Sequence, residues 1–188
     1  MSEAVSAVMG ARFHGLARIE ETGLQGMITL RGDLASKPMA KAVKSAVGVA
    51  IPAQRSVTMD GDSSAAWMSP DELLLLCPHD TAEATTAALG EALAGQHHMA
   101  VNVSDARAVF HVTGPAAREV LGKLCPVDFS RDVFAVGEIR RTRMAQVAAA
   151  VWQEDEDTFR VVCFRSVGDY VFNLLKVAAD PESGVGVY

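Results

Sequence analysis

Several things are scarce in these 188 residues. Only three cysteines occur, Cys77, Cys125 and Cys163. They are odd in number, widely spaced and never in a CxxC pair, which argues against a disulfide framework or a cysteine zinc site and fits a reducing cytoplasm. Aromatic residues make up 6% of the chain. No apolar run approaches the ~18 residues a membrane helix needs, and "LLLL" at Leu73–Leu76 is a short strand. The opening "MSEAVSAVMGARFHG" carries an early glutamate and no apolar stretch, so no leader peptide is expected. Positive charge is also short: 17 Lys and Arg face 23 Asp and Glu, for a net charge of −6. That balance disfavours a nucleic-acid partner. Motifs that pair a nucleophile with a base, such as GxSxG or HExxH, are missing too.

What is present is a profile of ordinary globular type, 49% hydrophobic and 21% charged. "LQGMITLR" (24–31) alternates as a strand and ends at Gly32. "SKPMAKAVKSAVG" follows as a helix with Met39, Ala42, Val43 and Ala46 inward and Gly48 as its stop. "QRSVTMDGD" and "AAWMSPDELLLLCP" supply further strands. Asp80 with Glu83 resembles a capping box for a second helix, and "HMAVNVS" closes the unit as a strand.

The order then starts again. "RAVFHVTG" is a strand and "PAAREVLGKLC" a helix burying Ala117, Val120, Leu121 and Leu124. "EIRRTRMAQVAAAVW" reads as one long strand, "EDED" as a turn and "TFRVVCF" as a strand. "SVGDYVFNLLKVAA" is a helix with Tyr170, Val171, Leu174, Leu175 and Ala178 inward, and "GVGVY" offers a last edge strand. Gly32 aligns with Gly114, Trp67 with Trp152, Cys77 with Cys163, and Asp80 and Glu83 with Ser166 and Asp169, at offsets of 82 to 86 residues. The chain is therefore expected to be α+β: a tandem duplication of β-α-β-β-α-β (ferredoxin-like) units, with antiparallel sheets covered by helices. Residues 1–22 read as an N-terminal extension, 23–104 as the first repeat and 105–188 as the second, in one compact domain.

Several stretches invite a chemical reading. "FHVTGPAAREVLGKLCP" (110–126) places a glycine between strand and helix, where free N–H groups can hold a phosphate. It lacks the companions of a GxGxxG or P-loop pattern, and Gly32 repeats it, so a tight turn accounts for it better. His97–His98 is the only histidine pair, and no Cys or acidic partner stands at a ligand spacing, so a loop or strand start is expected. His14 and His79 are isolated, and His111 sits within a strand pattern. "QEDEDT" (153–158) sets four carboxylates together in a turn, where solvent should keep all of them ionised and alike. In "RRTR", Arg141 and Arg143 share one strand face and Arg140 takes the other. This basic strand suits either an anionic ligand or neighbour, or the blunting of a sheet edge.

The order "NVSD" (102–105), "GPAAREVL" (114–121), "PVD" (126–128) and "VGEIR" (136–140) resembles the folate-binding aminomethyltransferases typified by the glycine-cleavage T-protein. Their corresponding stretches are a "DVSH", a "GPDA" helix start, an "NDV" turn and a glycine before the next strand. With "WMSPDELLLLCP" and "VVCFRSVGDYVFNLL", most of the chain resembles the gamma-subunit family of heterotetrameric sarcosine oxidases. The first resemblance implies a duplicated α+β core. It also puts Asn102 where the folate enzymes carry a key aspartate, and an amide cannot serve as a general base. No counterpart of those enzymes' C-terminal barrel is expected.

The second resemblance implies a non-catalytic structural subunit with no catalytic, cofactor or metal residues of its own. It would assemble with alpha, beta and delta subunits that hold FAD, FMN, NAD and tetrahydrofolate. The assembly would oxidatively demethylate sarcosine to glycine, giving hydrogen peroxide and formaldehyde or methylene-tetrahydrofolate. Two other readings stay open: an independent folate-dependent one-carbon (aminomethyl) transferase or folate-binding protein, and a small-molecule sensor.

Overall fold

The computed structural model describes residues 4–188; Met1–Glu3, the start of the stretch read for a leader, lie outside the described residues. Two antiparallel sheets organise the chain. Residues 25–104 form one compact unit, and residues up to Leu24 form the other together with 105–188.

In the unit of residues 25–104, β3 (Gly26–Gly32) leads into α1 (Lys37–Val47), followed by β4 (Val57–Asp60), β5 (Ser63–Ser69), β6 (Glu72–Cys77), α2 (Ala82–Ala92) and β7 (His98–Asn102). The strand order is β4-β5-β6-β3-β7. This is the expected ferredoxin-like order with β4 added at one edge. The helix α1 begins where its sequence says it should. Ser36 Oγ accepts from Met39 N, Pro38 lies in the first turn, and Gly48 takes a left-handed conformation past the end. Its buried face is Met39, Ala42, Val43 and Val47, packed on Leu30, Leu73 and Leu75. The other face of the sheet is apolar as well: Met27, Ala66, Leu74 and Leu76 are buried. Burial on both faces explains why β6 reads as continuous leucine rather than as an alternation.

The second unit holds β1 (Arg12–His14), β2 (Arg18–Glu21), β8 (Arg107–Thr113), α3 (Ala117–Gly122), β9 (Ile139–Met144), β10 (Val147–Gln153), β11 (Thr158–Phe164) and α4 (Gly168–Ala178). Its order is β1-β2-β8-β11-β10-β9. Strand by strand, β2-β8-β11-β10-β9 matches β7-β3-β6-β5-β4, so the repeat read from the sequence is present in the topology. Phe110, Val112, Phe159, Val161, Val171 and Leu175 centre its core.

Four expectations need correction. The long strand of Glu138–Trp152 is a hairpin, β9 and β10, turning at Ala145–Gln146 with Ala145 at φ 49. "GVGVY" forms no strand; β2 takes the place beside β8 that β7 takes beside β3. Asp80 and Ser166 cap nothing, because α2 and α4 each continue a single 3-10 turn, His79–Thr81 and Arg165–Val167, without a side-chain cap. Tyr170 lies on the exposed side of α4, whose buried residues are Gly168, Val171, Leu175 and Ala178.

Candidate functional site

The Gly114 turn opens the chain's most distinctive stretch. Gly114 N donates to Asp157 O at 2.9 Å, and Gly114 O accepts from Ala117 N at 2.9 Å. The Gly114 and Ala117 amides, two of those that could have met a phosphate, are thus already engaged. Gly114 (φ 126) and Gly32 (φ 154) both occupy backbone conformations that disfavour a side chain. At Gly32 a Cβ would also meet Met39 Cε at 2.6 Å and His97 O at 3.1 Å. The turn is structural in both copies.

Just inside α3, Arg118 is buried, a role the sequence pattern did not reveal. Its Nη1 donates to Phe129 O (2.6 Å) and Phe134 O (3.0 Å), and its Nη2 to Gln153 Oε1 (2.9 Å). Gln153 Nε2 donates onward to Asp155 O and Glu156 O at 2.8 and 3.0 Å. One guanidinium therefore fixes the loop of Phe129–Phe134 and, through Gln153, the acidic turn. Burial, then the charge of Arg131, lowers its pKa from the ordinary arginine value.

The four carboxylates of that turn are not alike. Exposed Glu156 and half-buried Asp157 lie beside Arg131, and Asp155 Oδ1 accepts from Asp157 N at 3.0 Å. Glu154 instead turns back over the sheet, with Oε2 2.9 Å from His111 Nε2 and Oε1 2.7 Å from Arg160 Nε. Burial alone would raise its pKa, but hydrogen bonding from His111 and the Arg160 charge outweigh burial and hold it below the usual range. Register places Glu20, His111, Arg160 and Trp152 in one row across four strands, with Arg12 2.7 Å from Glu20 at its end. The sign of the Glu154 shift matters: a carboxyl tuned for general acid work near neutrality is raised, not lowered. Burial likewise pushes the Cys125 and Cys163 thiols up to about 12, away from thiolate chemistry.

Two more buried acids act as clamps that sequence reasoning passed over. Glu119 accepts from Val185 N and Gly186 N, both at 2.7 Å, and pairs with Lys123 at 3.0 Å. The Val185 amide first, then Lys123, lowers its pKa to about 2 against the opposing effect of burial. Glu21 accepts from Ser6 Oγ (2.7 Å), Val8 N (3.0 Å) and Gly10 N (2.7 Å), tying the N-terminal segment to β2. Each glutamate lies in a pattern that reads as helix or strand surface, so only the tertiary fold reveals its use.

Asn102, the position singled out against the folate enzymes, ends β7. Its Oδ1 accepts from Ser104 N (3.0 Å) and Ser104 Oγ (2.6 Å), while Ser104 Oγ accepts from Met27 N (3.0 Å). This is an Asx turn at the end of β7. β9 is an edge strand, and its register sets Arg141 and Arg143 on one face and Arg140 on the other, as read from sequence. Arg140 lies 5.3 Å from the Phe134 ring centre and 3.0 Å from Glu138. Arg143 donates to Gln146 Oε1 at 2.9 Å.

Two surface recesses lie within residues 25–104. One, about 460 Å³, is lined by Lys37, Lys41, Ser45 and Ala92 between α1 and α2. The other, about 430 Å³, gathers Asp33, His97, His98 and the Arg31–Asp71 ion pair (2.6 Å). His98 Nδ1 is 3.0 Å from Gln96 O. Among the described residues, no three His, Cys, Asp or Glu side chains converge as a metal site would require.

The polar groups that stand out thus tie turns, tails and loops to a scaffold, and likenesses to known proteins fit that character. A sarcosine oxidase subunit gamma from Arthrobacter sp is 30% identical over 123 residues; the match takes in 64% of this chain and 60% of that protein's length. One chain of the heterotetrameric sarcosine oxidase from Corynebacterium sp. U-96, solved with pyrrole 2-carboxylate, superposes with a TM-score of 0.82 at 27% identity. That superposition covers 97% of this chain and 95% of the other. The glycine-cleavage aminomethyltransferase T of Bartonella henselae shares the fold at a TM-score of 0.61 and 13% identity, over 82% of this chain and 44% of that one. Since the family pattern also matches residues 31–181, the chain belongs to the sarcosine oxidase gamma subunit family.

Proposed function

We propose that this chain is a non-catalytic structural subunit of a heterotetrameric sarcosine oxidase. The assembly would oxidise sarcosine to glycine, releasing hydrogen peroxide and either formaldehyde or methylene-tetrahydrofolate. The flavins, NAD and folate would sit on the partner subunits, and the complex would work in the cytoplasm. The observation that carries this reading is the superposition, over nearly the full length of both chains, with a chain of the Corynebacterium heterotetramer. Residue chemistry supports it: Glu154, Glu119, Glu21 and Arg118 all serve internal bracing. A brace that fixes loops on a scaffold suits a subunit whose work is to present surfaces. We read residues 23–104 and 105–188 as copies of one ancestral unit, the second completed by β2 (Arg18–Glu21) from within residues 1–22. The matched strand orders support that descent.

Co-expression with the alpha, beta and delta subunits tests the reading. The tagged chain should retain all three through purification, and omitting it should lower the yield of assembled, active oxidase. A chain that purifies alone, with full activity left in its absence, would refute the proposal. Isothermal titration with tetrahydrofolate distinguishes the transferase reading, which requires the isolated chain to bind folate.

A further inference from the structure

Four strands end the two sheets: β1 and β9 in one, β4 and β7 in the other. Natural sheets guard such edges with charge, because unpaired main-chain groups template further strands. β1 carries Arg12 beside His14, and β9 carries Arg140, Arg141 and Arg143. β4 ends on Asp60. β7 reads His-Met-Ala-Val-Asn, with no acidic residue, lysine or arginine.

The main chain of β7 is also open in a defined pattern. Val103 N donates to Met27 O at 2.8 Å, and β7 pairs with β3 antiparallel, Val101 opposite Thr29 and Met99 opposite Arg31. Bonding alternates along an antiparallel strand, so Met99 and Val101 bond to β3 while Ala100 and Asn102 turn their N–H and C=O groups away. Among the described residues, nothing bonds the outward amide of Ala100. The Met99 and Val101 side chains lie on the face away from α1 and α2, 42% and 43% exposed. Ala100 packs on the core instead, which holds the strand in place.

The other sheet supplies an internal precedent. β2 stands to β8 as β7 stands to β3, and β2 carries one further antiparallel strand, β1, pairing Arg12 with Glu20 and His14 with Arg18. Among the described residues, no strand stands at the matching place beside β7. We infer that an extended segment of a partner subunit fills that place, antiparallel to β7, with apolar side chains at alternate positions over Met99 and Val101. This rests on the assembly reading above. A second copy of the chain is a poor occupant. A five-residue strand paired with itself covers far less than the ~1,200 Å² of a stable interface, whereas a partner segment adds to a larger contact.

Hydrogen exchange on the full chain, alone and in the co-expressed complex, tests the inference. The Ala100 amide should exchange at least ~10-fold more slowly in the complex, as a newly bonded amide does. Two variants give an independent readout. Ala100→Pro removes the outward donor, and the double change Met99→Lys and Val101→Lys charges the edge. Each should cut partner retention about tenfold, the scale of one or two net hydrogen bonds, while the isolated chain's melting curve stays put. Should Ala100→Pro fail to fold, the half-exposed lysine pair and the exchange measurement decide the matter. Unchanged Ala100 exchange with undiminished retention of the variants would overturn the inference and leave the assembly reading intact. Loss of assembly by the unsubstituted chain overturns both. A self-associated form of the chain, abolished by the lysine pair, assigns the slot to a second copy and also overturns the inference.

Discussion

Arg118 donates to three acceptors in fixed directions, at Phe129, Phe134 and Gln153, and its guanidinium carbon lies 5.2 Å from the Phe159 ring centre. A lysine there keeps the charge but loses the planar fork, so it cannot reach both arms of the network. Arg118→Lys is expected to cost about 2 kcal/mol and Arg118→Ala about 3–4 kcal/mol, since each leaves buried acceptors unpaired. Urea unfolding of the isolated chain measures both. Equal stability of the lysine variant would show that charge, not geometry, is what the site needs. Sequence could not single out this arginine. Ala117, Val120 and Leu121 define the buried helical face, and Arg118 follows Ala117 just as a solvent-facing residue would. What turns it inward is the loop of Phe129–Phe134 folding over it, a contact with no local signature.

At the scale of elements, legibility depended on whether a turn carries its own chemical sign. The α1 boundaries were readable because Ser36, Pro38 and Gly48 each have a mechanism at a helix end. The β9–β10 turn was not, because Ala145 and Gln146 lack the Gly, Asn or Asp that marks a hairpin, so the run from Ile139 to Trp152 carries no break. Ala145 adopts φ 49 there with its amide bonded to Leu124 O at 2.8 Å, so its strain is held by tertiary packing. Glycine takes that conformation freely, although it also gains entropy in the unfolded chain. The balance predicts that Ala145→Gly stabilises the chain by about 0.5 kcal/mol, against the loss that glycine causes inside a strand. A rise in the urea midpoint at constant slope is the expected result, and a fall would mean that Ala145 is relaxed where it stands.

For the molecule as a whole, the duplicated order was visible in the sequence because glycine, tryptophan and cysteine recur at nearly one spacing. The source of the last strand was hidden. Residues Arg18–Glu21 have no more strand character than the C-terminal "GVGVY", and the choice between them rests on Ile19 and Glu21. Ile19 reaches the core, and Glu21 gathers the amides of Val8 and Gly10. The same tertiary logic bears on assembly. A partner that binds only the folded chain stabilises it by about 2.7 kcal/mol when present at a hundred times its dissociation constant. For a chain of this length that raises the melting temperature by roughly 5–10 °C. Calorimetry of the purified chain, with and without the co-expressed larger subunits, should therefore show an upward shift that grows with partner concentration. Tetrahydrofolate alone should give none. A folate-dependent rise without any effect of the subunits would move the chain from scaffold to folate binder.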